Sequence, residues 1–232
     1  MTTLDLLARG EVDVEGLITA SSNQALLVTL RLDGEELEAV YKAERGERPL
    51  WDFPAGLWRR EVAAYALSEL LGFDLVPPTV AREDGPYGPG SFQAWVEDNG
   101  VDHYFTLRER AEFEAWFQRL CVFDVLANNT DRKSGHVLFD GTRCWAIDHG
   151  VCFHDEPKLR TVIWDFAGLP LNDALRAALE GLSDDAVATL APWLDEVELD
   201  ALRGRRDNLL LAGHFPLPEE DGDYPPYPWP LV

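Results

Sequence analysis

The chain has 232 residues, 46% of them hydrophobic, enough for one large domain or two small lobes around a filled core. It carries 42 acidic against 20 basic residues, a net charge of −22, and that field repels nucleic acid and anionic membrane surfaces without forbidding a locally positive pocket. No apolar run is long enough to span a bilayer, and the N-terminal MTTLDLLARGEV lacks the basic flank and apolar stretch of a secretory signal. Three cysteines, Cys121, Cys144 and Cys152, are odd in number and lack metal-type spacing, so they read as buried thiols in a reducing cytoplasm.

In chain order, Thr19 to Gln24 form a small polar turn that can present hydroxyls and backbone N–H groups to a phosphate, although it lacks the glycines of a Walker or GxGxxG loop. Ala25–Leu30 and Leu37–Lys42 flank Asp33-Gly34 and read as an antiparallel hairpin. Lys42 closes the second strand, where an inward lysine reaches nucleotide phosphates. Glu61, on the following helix, can pair with it. That helix is predicted over Trp58 to Leu71 from apolar Trp58, Val62, Tyr65, Ala66 and Leu70, with Gly72 as its stop. Asp84 to Gly90 read as a turn, and Ser91 to Val96 as a strand.

The second half reads as mainly helical. Thr106-Leu107-Arg108-Glu109 fits a capping box ahead of an apolar face formed by Phe113, Trp116, Phe117, Leu120, Cys121 and Val125, ending near Asn128-Asn129. Ser183–Leu194 and Val197–Leu211 read as two further helices, the last stopped by Gly213. The run Arg203, Arg205, Arg206 suits surface ion pairs better than a site for an anionic substrate. Pro216 to Val232 is rich in proline, acid and aromatics. It is either disordered or a strap laid over the body.

Between Asn128 and Phe153 stand two aspartates beside strand-like segments. Asp131 lies in the polar loop NNTDRKSG, and Asp148 ends the apolar run Cys144 to Ile147 ahead of His149-Gly150. Phosphoryl transfer needs one carboxylate to orient a hydroxyl and another to hold a metal on the phosphates. Asp131-Arg132-Lys133 places two cations beside one carboxylate, where substrate phosphates can use them. His136 is the nearest candidate to share a cation with Asp148.

GSFQAWVE (Gly90 to Glu97), the helix Phe113 to Ala127, NNTDR (Asn128 to Arg132) and AIDHG (Ala146 to Gly150) resemble, in the same order, the phosphatidylinositol 3-/4-kinase-like family. The pattern is most similar to type II phosphatidylinositol 4-kinases and HipA-type bacterial kinases. The resemblance implies an α+β, two-lobed protein-kinase-like fold. Residues 1–97 would form an antiparallel β-rich, nucleotide-binding N-lobe, 98–215 a helical C-lobe, and 216–232 a proline-rich tail. It further implies ATP and a divalent metal, Mg²⁺ or Mn²⁺. Ser21, Ser22 and Asn23 would cap the phosphates, with Lys42, held by Glu61, on the α- and β-phosphates. Backbone at Trp95 and Val96 would meet the adenine. Asp131 would orient the acceptor hydroxyl, Lys133 would touch the γ-phosphate or acceptor, and Asp148 would chelate the metal. The family pattern D-R-x-x-x-N has its metal-binding asparagine where this chain has His136, a ligand better matched to Mn²⁺ than to Mg²⁺. The cysteine-rich palmitoylated stretch of the lipid kinases is absent. Together with the net charge, this points to a soluble small-molecule or protein acceptor, with no nucleic acid and no stable membrane association. The alternatives are a nucleotide-binding pseudokinase that regulates a partner and a nucleotidyl (AMP) transferase.

Overall fold

A computed structural model describes residues 1–18, 24–219 and 225–232. Ser21, Ser22 and Asn23 lie outside the described residues. The elements are α1 (Thr3–Arg9), β1 (Glu11–Leu17), β2 (Ala25–Leu32), β3 (Glu35–Ala43), α2 (Leu57–Leu70), β4 (Thr79–Arg82), β5 (Gly90–Ala94), α3 (Tyr104–Leu107), α4 (Glu114–Leu126), β6 (Val137–Phe139), β7 (Cys144–Ala146), α5 (Asp173–Gly181), α6 (Asp184–Ala188) and α7 (Glu196–Ala212). The fold is α+β. Five antiparallel strands in the order β1-β2-β3-β5-β4 are followed by the β6-β7 hairpin and the C-terminal helices.

The predicted hairpin is β2–β3. Asp33 and Gly34 both take positive φ, 51° and 87°, the conformation whose twist matches that of the flanking strands. Side chains alternate along β3. Ala39, Tyr41 and Ala43 join Val28, Leu30, Phe92 and Leu7 of α1 in a small core on one face, and Lys42 points to the other. The register sets Lys42 opposite Ala25 on one side and Ser91 on the other. Gly90 permits this pairing, since a Cβ there would lie 2.4 Å from the Lys42 carbonyl oxygen.

Helix α2 packs against β4 and β5 and also supplies Ala63, Ala64 and Leu67 to the larger core, together with α4, α5 and α7. Its N-terminus follows Gly56, which takes φ 90° and has no side chain to cap the helix. Glu47 does that work from the preceding loop, accepting the N–H groups of Gly56 and Trp58, both at 2.8 Å.

Several boundaries differ from expectation. Thr106 does not open the long helix. Its hydroxyl accepts the His103 N–H at 2.9 Å and so caps the start of the short α3, and the long helix α4 begins only at Glu114. The helix expected from Ser183 does start there, with Ser183 as its cap, but α6 ends at Ala188. Pro192 forbids a continuous helix to Leu194. The strand expected to reach Val96 ends at Ala94. Helix α5, capped by Asn172 and buried through Leu175 and Leu179, is absent from the sequence reading. Arg203 and Arg206 make surface ion pairs with acids of α6 and α7, and Arg205 bonds the Leu126 and His154 carbonyls. Cys121, Cys144 and Cys152 are free and buried. Among the described residues no helix is long and apolar enough to cross a membrane.

Among the described residues near the end of the chain, 225–232 form a strap against the body. After α7, residues 213–215 run beside 168–171, linked by hydrogen bonds from Leu171 N to Gly213 O and Phe215 N to Leu169 O, both 2.9 Å. Further on, Pro226 and Leu231 bond the body through their carbonyls, Pro228 is buried, and Leu231 packs on the larger core.

Candidate active site

Lys42 leaves the β3 face that looks toward α2 and meets two carboxylates from distant parts of the chain. Its ammonium donates to Glu61 Oε1 on α2 and, at 2.9 Å, to Asp148 Oδ1 beyond β7. The second Glu61 oxygen accepts the His149 N–H at 3.0 Å, so one buried carboxylate ties the sheet to the loop after Asp148. Burial alone would lower the Lys42 pKa, but Asp148 and Glu61 outweigh it and push it up. Lys42 in turn is the main cause holding the Asp148 carboxyl well below the usual range. Asp148 has φ 62°, a left-handed conformation costing an aspartate on the order of 1–3 kcal/mol that the surrounding bonds must over-determine.

His136 follows from the turn 134–136 at the start of β6, and its Nε2 lies 3.4 Å from Asp148 Oδ2. Burial pushes its pKa down to about 4, so the ring is neutral at pH 7 and one nitrogen keeps a lone pair. Among the described residues no group of three His, Cys, Asp or Glu side chains is arranged to hold a metal unaided. Asp148 and His136 offer one oxygen and one nitrogen donor. That set fits a cation whose remaining ligands come from phosphate and water, and the imidazole favours Mn²⁺ over Mg²⁺.

Asp131 sits in the loop after α4. Its backbone N–H donates to Asn129 Oδ1 at 3.0 Å, and its Oδ2 accepts from Lys133 at 2.8 Å. Burial raises its pKa, with Lys133 acting in the opposite sense.

Arg132 does not join Lys133 as a cation for substrate phosphates. Its side chain is 0% exposed and grips Asp124 of α4 through Nε to Oδ2 at 2.9 Å and Nη2 to Oδ1 at 3.0 Å. Its Nη1 donates to the His136 and Ile147 carbonyls at 3.1 and 3.0 Å, and Nη2 lies 2.7 Å from His149 Nε2. The His149 pKa lies well below its ordinary value, chiefly through burial and then through Arg132. The ring is therefore neutral and accepts from the guanidinium. Arg132 thus joins the Asp131 loop, the His136 turn and the Asp148 loop. The sequence signal for this was Asp124, a lone acid on an otherwise apolar helix face.

The Trp95 N–H is already engaged with the Glu38 carbonyl at 3.0 Å, so this donor extends the β3–β5 ladder and is not free for a ligand. A cavity of about 480 Å³ lined by Ala94, Trp95, Val96, Pro77, Asp140 and Trp145 opens beside it, and Lys42 is not part of its lining. Of the remaining candidates, Lys42, Glu61, Asp148 and His136 come together in one cluster. Asp131 and Lys133 pair on the loop that Arg132 anchors to it.

No protein-family model matches the chain. Solved structures that share its architecture include a bacterial kinase and a hydra protein. The proinflammatory kinase CtkA of Helicobacter pylori aligns with a TM-score of 0.54 at 12% identity, covering 90% of this chain and 94% of that one. Hydra Fam20, solved with sugar, aligns with a TM-score of 0.57 at 14% identity, covering 89% and 86%. At such identities the likeness establishes a kinase-like fold, while the narrower phosphatidylinositol-kinase or HipA kinship is not established by it. In sequence, the chain is 38% identical over 265 residues to Protein Rv2133c of Mycobacterium tuberculosis, spanning 97% of this chain and 94% of that protein. The chain belongs to the same family as Protein Rv2133c.

Proposed function

We propose that the protein is an ATP-dependent phosphotransferase of the kinase-like class, moving the γ-phosphate to a hydroxyl of a soluble small molecule or protein. The observation that carries this reading is Lys42 held between Glu61 and Asp148. Three elements far apart in sequence converge to place one fixed cation beside a carboxylate with a neighbouring nitrogen donor. In this reading, residues 1–97 and 98–215 act as two lobes either side of the nucleotide. Lys42 binds the α- and β-phosphates and Glu61 holds it. Asp148 and His136 hold the metal, which when bound neutralises phosphate charge. Asp131 accepts or orients the acceptor hydroxyl, and Lys133 balances charge at the γ-phosphate. Ser21, Ser22 and Asn23 cover the phosphates, and Val96 offers its backbone to the adenine. Catalysis is then positioning and charge neutralisation.

The test is ADP release from ATP with Mg²⁺ and with Mn²⁺. Turnover should be higher with Mn²⁺ and fall by about 10² or more in Asp131→Ala and in Asp148→Ala, with the fold retained by circular dichroism. Pyrophosphate in place of ADP would turn the reading to nucleotidyl transfer. ATP binding without turnover would turn it to a regulatory pseudokinase. Absence of any ATP-dependent thermal shift with either metal would end the nucleotide reading altogether.

A further inference from the structure

The loop carrying Asp131 runs between two other segments. On one side Thr130 donates to Val151 and Phe153 to Ala127. On the other, Arg132 donates to Arg160, Val162 to Arg132, and Arg160 to Asn129. The bridge Arg132–Thr161 is parallel, so 160–162 extends the Asp131 loop by strand-like pairing. The C-terminal strap lies across this arrangement at two points. The Pro226 carbonyl accepts from the Thr161 N–H and from the Trp164 indole, both at 3.1 Å. The Leu231 carbonyl accepts from the Ser134 N–H at 2.8 Å.

Ser134 opens the 3-10 turn Ser134–His136. The same turn carries His136 to Asp148, and its last carbonyl accepts both the Ile147 N–H and Arg132 Nη1. Leu231 therefore bonds one end of a turn whose other end carries a member of the ion-pair cluster. The strap is built to stay seated. Pro228 is buried, Leu231 packs on the larger core, and four of the eight residues 225–232 are prolines, which lose little freedom on ordering. Its main-chain carbonyls meet main-chain N–H groups that would otherwise lack an internal partner.

We propose that residues 225–232 are a positioning element of the active site, clamping the Asp131–His136 loop to the 161–164 segment so that Asp131 and His136 hold their places relative to Asp148. Leu231 is the positioning residue at its end, acting through Ser134. Lys42 and Glu61 are set by β3 and α2 and do not depend on the strap. The proposal rests on the phosphotransferase reading for its kinetic consequence and on the geometry alone for its structural one.

The test compares the full chain with a chain lacking residues 225–232 and with Leu231→Asp, Leu231→Met and Trp164→Phe. In steady-state ATP turnover with Mn²⁺, deletion and Leu231→Asp should lower kcat by about tenfold or more while the KM for ATP moves less than about threefold. Trp164→Phe should give a smaller loss of the same kind, and Leu231→Met should behave as the parent. A synthetic PPYPWPLV peptide added in trans should restore turnover to the deleted chain. Amide hydrogen exchange supplies the second readout, independent of turnover. On deletion, protection should fall at Ser134 and Thr161 and also at His136 and Ile147. Unchanged or increased turnover on deletion would overturn the proposal, an increase marking the strap as a cover. So would an exchange effect confined to Ser134 and Thr161. If the parent chain turns over no ATP, the phosphotransferase reading fails and the exchange result alone decides the strap.

Discussion

A guanidinium with no solvent exposure must find its partners inside the protein, and Arg132 finds Asp124, two carbonyls and the His149 ring. A pair of this kind is not a gain over well-packed apolar residues, but breaking it leaves a buried charge unmatched. Arg132→Met should therefore cost about 3–5 kcal/mol in urea unfolding, and Asp124→Leu placed in the same chain should recover part of it. If Arg132→Met proved neutral, the pair would not be holding the loop. The same residue shows the limit of reading a motif by charge. Asp131-Arg132-Lys133 in sequence offers two cations beside an acid. The loop turns Lys133 toward Asp131 and Arg132 into the interior, because Asp124 waits there on α4. Lys42 and Glu61 were legible as candidates, since a lysine at the end of an alternating strand and an acid on the next helix imply a possible pair. That Asp148 completes a three-way contact was not legible, because its partner lies 106 residues away in sequence.

Helix α2 carries Glu61, and everything around it opposes displacement. Arg60 is buried, pairs with Glu198 of α7 and donates to the Cys152 carbonyl at 3.0 Å, and the Trp58 and Trp193 rings meet edge to face. The Trp58 indole N–H donates to Glu44 at 2.9 Å, and Glu47 caps the first turn. Glu47→Ala should remove that cap at a cost of about 1 kcal/mol, read as a lowered denaturation midpoint with an unchanged m-value. An unshifted midpoint would mean that water or a neighbour replaces the carboxylate. At this scale apolar spacing located α2 and α7 to within a residue at each end, and α4 by its buried face but not by its start. The misplaced starts and stops have local causes: the Thr106 hydroxyl turned back to His103, and Pro192 cutting short the helix that Ser183 begins.

Across the whole molecule, the two cores do not divide at residue 97. The small core lies between α1 and the five-stranded sheet, whereas the larger one takes in Ala63 to Val76 along with residues as far as Phe215. A fragment beginning at residue 98 would expose the surface that α2 covers and lose the Arg60–Glu198 pair. Residues 98–232 expressed alone should lack a cooperative thermal transition by circular dichroism, while the full chain unfolds in one step. A cooperatively folding fragment would show that α2 is not integral to that core.

What the sequence by itself determined is local. The β2–β3 hairpin follows from Asp33-Gly34 between alternating strands, and helices α2 and α7 and the body of α4 follow from apolar periodicity. Such features depend on neighbours within a few residues, where periodicity and turn preference act. Tertiary structure decided which charges face one another. It joined Lys42 to Asp148, buried Arg132 against Asp124 and His149, engaged the Trp95 N–H with Glu38, and laid residues 225–232 against Ser134 and Thr161. These pairings arise when a buried charge or an unpaired backbone group must be satisfied by whatever the packed elements bring near it, and sequence spacing does not encode that.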